Sequence, residues 1–336
     1  MFNKKEALYR PILKKALELT WRNKFLWVFG FFATFLGSGG VYDVIIKGWN
    51  TVGAKALIKN FANFTAPPFT IFEGTGTTLV NSLGTPGLVA GTTLGIILIV
   101  GLYVLAIASQ GGAVYSAGAL SKGKKVNLRK GFDKTISKFF HILGLNLGAK
   151  IIIFLLLLLV GLPVVLLAGQ NTAWSNVFYF LAFLVSIPLS LVVLFVMLYA
   201  VAGIMVKKLP LWIAIKDGLQ ILKKHWLISL EMALILLGLS VGLGLVVSIA
   251  LLILSVPFLV LGIALNFLVG EVGLTVIITL ALIIFLFTVI VLGSAFTAFQ
   301  LTSWTILYMK LSDKGAISAI VRTLKGIPEQ LKKLKK

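Results

Sequence analysis

The residues of this 336-residue chain that could do chemistry are few and scattered. There is no cysteine, so disulfides, iron–sulfur clusters, Cys-rich zinc sites and thiol nucleophiles are absent. Two histidines, His141 and His225, stand with ten carboxylates: Glu6, Glu18, Asp43, Glu73, Asp133, Asp217, Glu231, Glu271, Asp313 and Glu329. No two of these acids sit together in an apolar segment, as a catalytic dyad needs. Gly118-Ala-Leu-Ser-Lys-Gly123-Lys124 nearly spells a phosphate-binding loop. However, Lys125 stands where Ser or Thr should hold magnesium, and no strand precedes it, so it reads as a helix end and a basic turn. Gly37-Ser38-Gly39 has the look of an intramembrane serine nucleophile, but both histidines fall on the opposite side of the bilayer from it. His-Glu-x-x-His is absent. Nothing here predicts an enzyme, a cofactor or a metal.

Four polar residues inside apolar runs are better candidates: Gln110, Lys150, Glu231 and Gln300, the last with Ser294, Thr297, Thr302 and Ser303 nearby. One reading makes them a polar lining for a lipid headgroup or solute in the inner half of a helix bundle. The other has amides and hydroxyls bonding across helices, with Glu231 meeting a lysine at the interface.

The elements that must position them follow from composition. Only 12% of residues are charged and 59% are hydrophobic, against roughly 25% charged in soluble domains. Mean hydropathy is +1.05. Apolar runs long enough to span about 30 Å of hydrocarbon recur along the chain. They are Phe25–Ile46, Leu88–Ala108, Ala149–Ala168, Val177–Met205, Trp226–Leu254 and Leu274–Ala298. A basic leader before Phe25–Leu36 also fits a signal peptide, but the leader is long and amphipathic and the run rich in Phe and Trp.

The net charge of +21 reports orientation. Lys and Arg number seven through Lys24, seven in 121–139, five in 207–224 and eight in 310–336. Against these, the alternate connections hold three, Lys47, Lys55 and Lys59. This positive-inside pattern predicts six transmembrane helices with both termini in the cytoplasm of a prokaryotic cell, in its inner membrane. A nucleic-acid binder would cluster its bases on one folded surface, so that role is set aside.

Each basic segment also carries an amphipathic stretch. Leu8, Ile12, Ala16 and Leu19 oppose Arg10, Lys14, Glu18 and Arg22; Phe132, Ile136, Phe139 and Leu143 oppose Lys130, Lys134 and Lys138. Trp212, Ile215, Leu219, Leu222 and Trp226 oppose Lys216, Gln220, Lys223 and Lys224. Ile317, Ile320 and Leu324 oppose Lys314, Arg322 and Lys325. The first three run directly into a crossing, which predicts three tandem hairpins, each led by an interfacial helix. Such helices either lie in the headgroup layer with their bases toward anionic lipid or pack on one another. On the first reading Lys14, Lys130, Lys134, Lys138, Lys216, Lys223, Arg322 and Lys325 contact lipid headgroups. The expected organisation is therefore all-α: a cytoplasmic amphipathic helix at 1–24, a six-helix membrane domain at 25–310, and a basic amphipathic tail at 311–336.

Within the membrane domain, 121–139 and 206–225 read as inner loops and 47–88 as the large outer loop. Gly74–Thr78 and Gly84–Gly87 have turn-like composition. Ser255–Gly273 is apolar around Pro257, and reads as either a longer kinked helix or a re-entrant hairpin. Glycines four apart at Gly238 and Gly242 permit close helix approach.

Leu19-Thr20-Trp21-Arg22-Asn23-Lys24-Phe25-Leu26-Trp27-Val28-Phe29-Gly30, the lysine-rich elbows and the small-residue return helices carry a resemblance. The chain resembles a diffuse family of uncharacterised prokaryotic six-helix membrane proteins, most of all the membrane domain of some glycerophosphoryl diester phosphodiesterases. The soluble phosphodiesterase barrel is missing, so the resemblance implies a lipid-facing or accessory role and no catalytic residue. The expected function is thus a non-enzymatic membrane protein binding anionic phospholipid or a membrane-protein partner. Its rival is a small transporter or channel using the four polar positions.

Overall fold

The computed structural model describes residues 8–36, 73–167 and 173–313. Among them there are eight helices and no strand. In chain order they are α1 (Tyr9–Arg22), α2 (Phe25–Thr34), α3 (Glu73–Ser121), α4 (Leu128–Ile136), α5 (Phe139–Leu167), α6 (Ala173–Val206), α7 (Leu211–Val269) and α8 (Glu271–Asp313). Five contain stretches long and apolar enough to cross a membrane, in α3, α5, α6, α7 and α8. The described residues are thus all-helical, and the protein is a multi-pass membrane protein. The expected crossing Phe25–Ile46 is described only to Leu36, and its helix α2 is shorter than a span.

Three amphipathic helices turn sharply into apolar ones. At the first elbow Asn23 leaves the helical region (φ −115°, ψ 74°), and its side-chain amide donates to the Leu19 carbonyl at 2.8 Å. The Trp27 indole closes the same corner by donating to the Thr20 carbonyl at 3.0 Å. At the second elbow, α4 ends at Ser137–Lys138 before α5; its start is capped by Asn127, which accepts from the Lys130 N–H at 3.0 Å. The third lies inside α7, where His225 is non-helical (φ −133°, ψ 34°). Residues 211–224 are therefore a separate amphipathic helix leading into the apolar remainder of α7.

Packing is concentrated at the elbow end. The core takes Ile12 and Ala16 from α1, Ile107 and Val114 from α3, Ile142 from α5, Tyr199 and Ile204 from α6, Met232 from α7, and Leu307 and Tyr308 from α8. Helix α2 sits against α3, α4 and α8, with Phe29 over Gly112 and Gly131. A Cβ on Gly30 would run into the backbone of Ser294 and Ala298 of α8, so only glycine permits this approach.

Several expectations are corrected. Helix α3 begins at Glu73, so Gly74–Thr78 and Gly84–Gly87, expected as turns of the outer loop, are helical instead. Ser255–Gly273 runs on as helix through Pro257 to Val269, turns at Gly270 (φ +75°) and restarts at Glu271. It is the longer helix, not a re-entrant hairpin. Gly238 and Gly242 make no close approach: a Cβ at either meets nothing within 4 Å. The phosphate-loop lookalike is a helix end: Lys124 N–H donates to the Ala119 carbonyl and Gly123 N–H to that of Leu120, with Gly123 at φ +76°. The inner loop read at 206–225 narrows to residues 207–210, because Leu211 already starts α7.

Candidate functional site

The polar groups of the packed end fall into separate clusters, each bridging two helices. In the first, α3 and α5 run antiparallel and meet at two rungs. Asn146 donates from its side-chain nitrogen to Gln110 Oε1 at 2.9 Å and to the Ile142 carbonyl at 2.9 Å. Further along the same seam, the Lys150 ammonium lies 4.6 Å from the centroid of the Tyr103 ring. Gln110 is 1% exposed, and its Nε2 has no hydrogen-bond partner, nor does the buried Tyr103 hydroxyl. Lys150 itself is exposed.

In the second cluster Tyr9 of α1 donates to the carboxylate of Glu231 on α7, with both side chains buried. The third joins α6 to the elbow of α7: the Tyr199 and Ser229 hydroxyls lie 2.7 Å apart, and Ser229 donates to the His225 carbonyl at 3.1 Å. The fourth lies near the surface, where Tyr308 donates to Asp217 Oδ2 at 2.7 Å and Lys207 stands 3.7 Å from Oδ1. Gln300 is buried on α8 beside Thr302 and Ser303, whose hydroxyls have no partner.

Of the four polar positions singled out in the sequence, the fold brings Gln110 and Lys150 to one seam and gives Glu231 to α1. The residues that complete the contacts, Asn146, Tyr103 and Tyr9, were missed. Asn146 carried a signal, an amide in an apolar run one helical turn before Lys150. Tyr9 carried none, because an aromatic on an amphipathic helix reads as ordinary core. Among the described residues no group of three His, Asp or Glu side chains comes together to hold a metal.

The basic positions form a different surface. Lys14, Lys130, Lys134, Lys216 and Lys223 are exposed and Lys138 is half-buried. Arg322 and Lys325 lie outside the described residues. Beside these bases each elbow leaves an aromatic exposed: Trp21 at the first, Phe140 at the second and Trp226 at the third. Helix α1 buries Ile12, Ala16 and Thr20 against the bundle but leaves Leu17 and Trp21 outside. In residues 211–224 the stripe expected to be the packing face is divided. Trp212 is 74% exposed and Leu219 is exposed, while the small pair Ala214 and Gly218 is buried with Ile221 and Leu222. Gly218 sits against the α6 backbone at Val196 and Ala200. These helices therefore do both things at once: Ile12, Ala16, Ala214, Gly218, Ile221 and Leu222 pack inward while Leu17, Trp21, Trp212 and Leu219 stay outside.

Comparison with known proteins finds no matching family model, no matching curated protein and no matching solved structure.

Proposed function

We propose that this is a non-enzymatic integral membrane protein whose basic elbow end binds anionic phospholipid, as an accessory or scaffold in envelope or lipid handling. The observation that carries the reading is the threefold recurrence of an exposed aromatic beside exposed lysines, Trp21, Phe140 and Trp226, at the corner where an amphipathic helix becomes an apolar one. Tryptophan and lysine are the side chains that favour a membrane–water boundary, and each near-surface base gains about 1 kcal/mol from anionic lipid. The same corners support six crossings arranged as three tandem hairpins, with α2 opening the first and both termini on the basic, cytoplasmic side of a prokaryotic inner membrane. Reporter fusions at Thr65 and Asn171 test that arrangement, and cytoplasmic-type activity at either site sinks it.

The function is tested by reconstituting the full chain in vesicles with and without anionic phospholipid and measuring which lipids it retains on extraction. Enrichment of anionic lipid should fall with salt and in a Lys130→Gln, Lys134→Gln, Lys216→Gln, Lys223→Gln variant. Enrichment indifferent to both rules the reading out. A small transporter or channel is the second reading, favoured by the unpartnered side-chain nitrogen of buried Gln110.

A further inference from the structure

The α7–α8 hairpin is longer than the hydrocarbon it crosses. Large apolar side chains are exposed on α7 from Leu234 to Val269, a rise of about 52 Å. Tilted by about 40°, the most that membrane helices usually show, that stretch still reaches about 40 Å, against about 30 Å of hydrocarbon. Helix α5 exposes Ile151, Ile152 and Leu155 within about 25 Å of the second elbow. The hydrocarbon therefore lies toward the elbow end, and the excess falls at the hairpin tip. Measured from exposed Trp226, the excess is about 20 Å at the same tilt and begins near residue 253.

The hairpin stays closed along this outer part. The Phe258 and Phe285 rings meet edge-on at 5.8 Å, and a Cβ on Gly262 would stand 3.2 Å from Leu274 Cδ1. Inside α7 only His225 leaves the helical region, so Pro257 does not break the arm.

What emerges is apolar on every side. Leu259, Val260 and Leu261 point about 100° apart around the helix, yet they are 62%, 60% and 52% exposed. From Ile253 to Phe287 eighteen large apolar side chains are exposed, and the one charge is Glu271 at the turn. At roughly 60–120 Å² each they present about 1,000–2,000 Å² of apolar surface. The largest such patch on a typical soluble monomer is about 300–600 Å². If half of each tip faces a like tip, the pair buries about 1,000–2,000 Å², the area of a stable protein interface.

We propose that a second copy of this chain covers the hairpin tip, the two tips packing side by side beyond the hydrocarbon at the end opposite the elbows. Copies in one membrane share one orientation, so their tips stand at the same height and meet without further matching. Each uncharged surface gives the other the apolar cover it lacks. The symmetry axis then runs along the membrane normal, and a closed ring of copies gives the second flank of each tip a neighbour as well. This surface does not depend on lipid binding at the basic elbows.

The test exploits the absence of cysteine. Leu259→Cys, Val260→Cys, Leu261→Cys and Phe267→Cys are made singly in the full chain, labelled in native membranes with benzophenone maleimide and irradiated. Phe267→Cys and at least one of the other three should give a product of twice the chain mass. Leu155→Cys, exposed on α5 away from the hairpin, should give at least tenfold less. Association is then measured by energy transfer between labelled copies as they are diluted in vesicles. Val260→Lys with Phe267→Lys should weaken it at least tenfold, since two buried apolar side chains become charged. Thermal unfolding of that variant should match the parent, because both side chains lie on the outside of the fold. Cross-links only to residues 37–72 of the same chain, or only to a different protein, overturn the proposal. So does association that the two lysines leave unchanged, or a parent that is monomeric at every density.

Discussion

Helix α8 changes character part-way along its length. From Ser294 to Leu311 it is buried, and that stretch includes Thr297, Gln300, Thr302, Ser303 and Thr305. From Val272 to Leu292 its large apolar side chains are exposed, among them Leu282, Ile283, Leu286 and Phe287. Helix α7 mirrors it, with Ser229, Glu231 and Met232 inside and Leu245 through Leu268 largely outside. The elbow half thus buries small and polar residues among large apolar ones such as Trp304, Leu307 and Tyr308, whereas the hairpin half exposes Leu, Ile and Val. A water-soluble protein would cover such side chains, and the difference separates a half organised by protein contacts from one that lacks them. Between helices in lipid there is no hydrophobic driving force, so association relies on close approach and hydrogen bonds. Both are found at the elbow end: Gly30 on α8, Phe29 over Gly112, Tyr9 on Glu231, Asn146 on Gln110.

The sharpest way to break this contrast is at Gly30. In Gly30→Leu the side chain has no rotamer that avoids the α8 backbone, so α2 must leave its place. More than about 3 kcal/mol should be lost, above the usual cost of overpacking because backbone cannot yield as a side chain can. Thermal unfolding in detergent should show a large drop in midpoint or no folded protein. A midpoint equal to the parent's would mean that α2 does not pack on α8.

Charge placed in the hairpin tests the other half. From Trp226 to Val269 helix α7 rises about 66 Å, more than twice the hydrocarbon thickness. Tilts of membrane helices rarely exceed about 40°, so the hairpin tip must emerge from the hydrocarbon. Leu239→Lys, about 20 Å beyond the third elbow, should cost about 3 kcal/mol in an insertion assay. Phe267→Lys, at the tip, should cost less than about 1 kcal/mol even though Phe267 is 85% exposed and apolar. Equal costs would place the whole hairpin in lipid.

A smaller contrast concerns hydrogen bonds. Tyr9→Phe removes the hydroxyl that donates to buried Glu231 and should lower stability by about 1–3 kcal/mol. In the hairpin half, Thr288 donates only to the Ile284 carbonyl of its own helix at 2.8 Å. Thr288→Val should therefore cost under about 0.5 kcal/mol, because the carbonyl keeps its helical partner. Comparable losses in the two variants, measured by the same unfolding assay, would show that the Tyr9–Glu231 contact does not tie α1 to α7.

Hydropathy and charge placement revealed the helical class, the long apolar helices and the amphipathic stretches, because these depend on which solvent each residue meets. The elbows were legible for the same reason, as three amphipathic stretches run directly into apolar ones. The contacts were not. Gly30 and Gly238 are both single glycines in apolar runs, and only the neighbouring helix makes one indispensable. Gln110 and Lys150 stood out as polar exceptions, but their placement on one seam depended on Asn146 and Tyr103, whose roles are set by the pairing of α3 with α5. Gly74–Thr78 has the composition of a turn, and nothing in those residues marks Glu73 as the start of α3.

The finest test of the contrast is a change of sign. Gly30→Ala places one methyl against the Ser294 carbonyl and should destabilise, whereas Gly238→Ala places one where nothing lies within 4 Å. In a soluble helix the second change would stabilise by about 0.5–1 kcal/mol, because glycine loses more backbone freedom on folding. Within a bilayer the unfolded reference is itself helical, since an unpaired backbone is so costly there. The gain from Gly238→Ala should therefore shrink to a few tenths of a kcal/mol in vesicles. It should recover toward the soluble value in a denaturing detergent titration, where the helix is exposed to water as it unfolds. A loss of stability at Gly238→Ala in both settings would mean that this face of the hairpin packs against another helix, and so belongs to the protein-organised half.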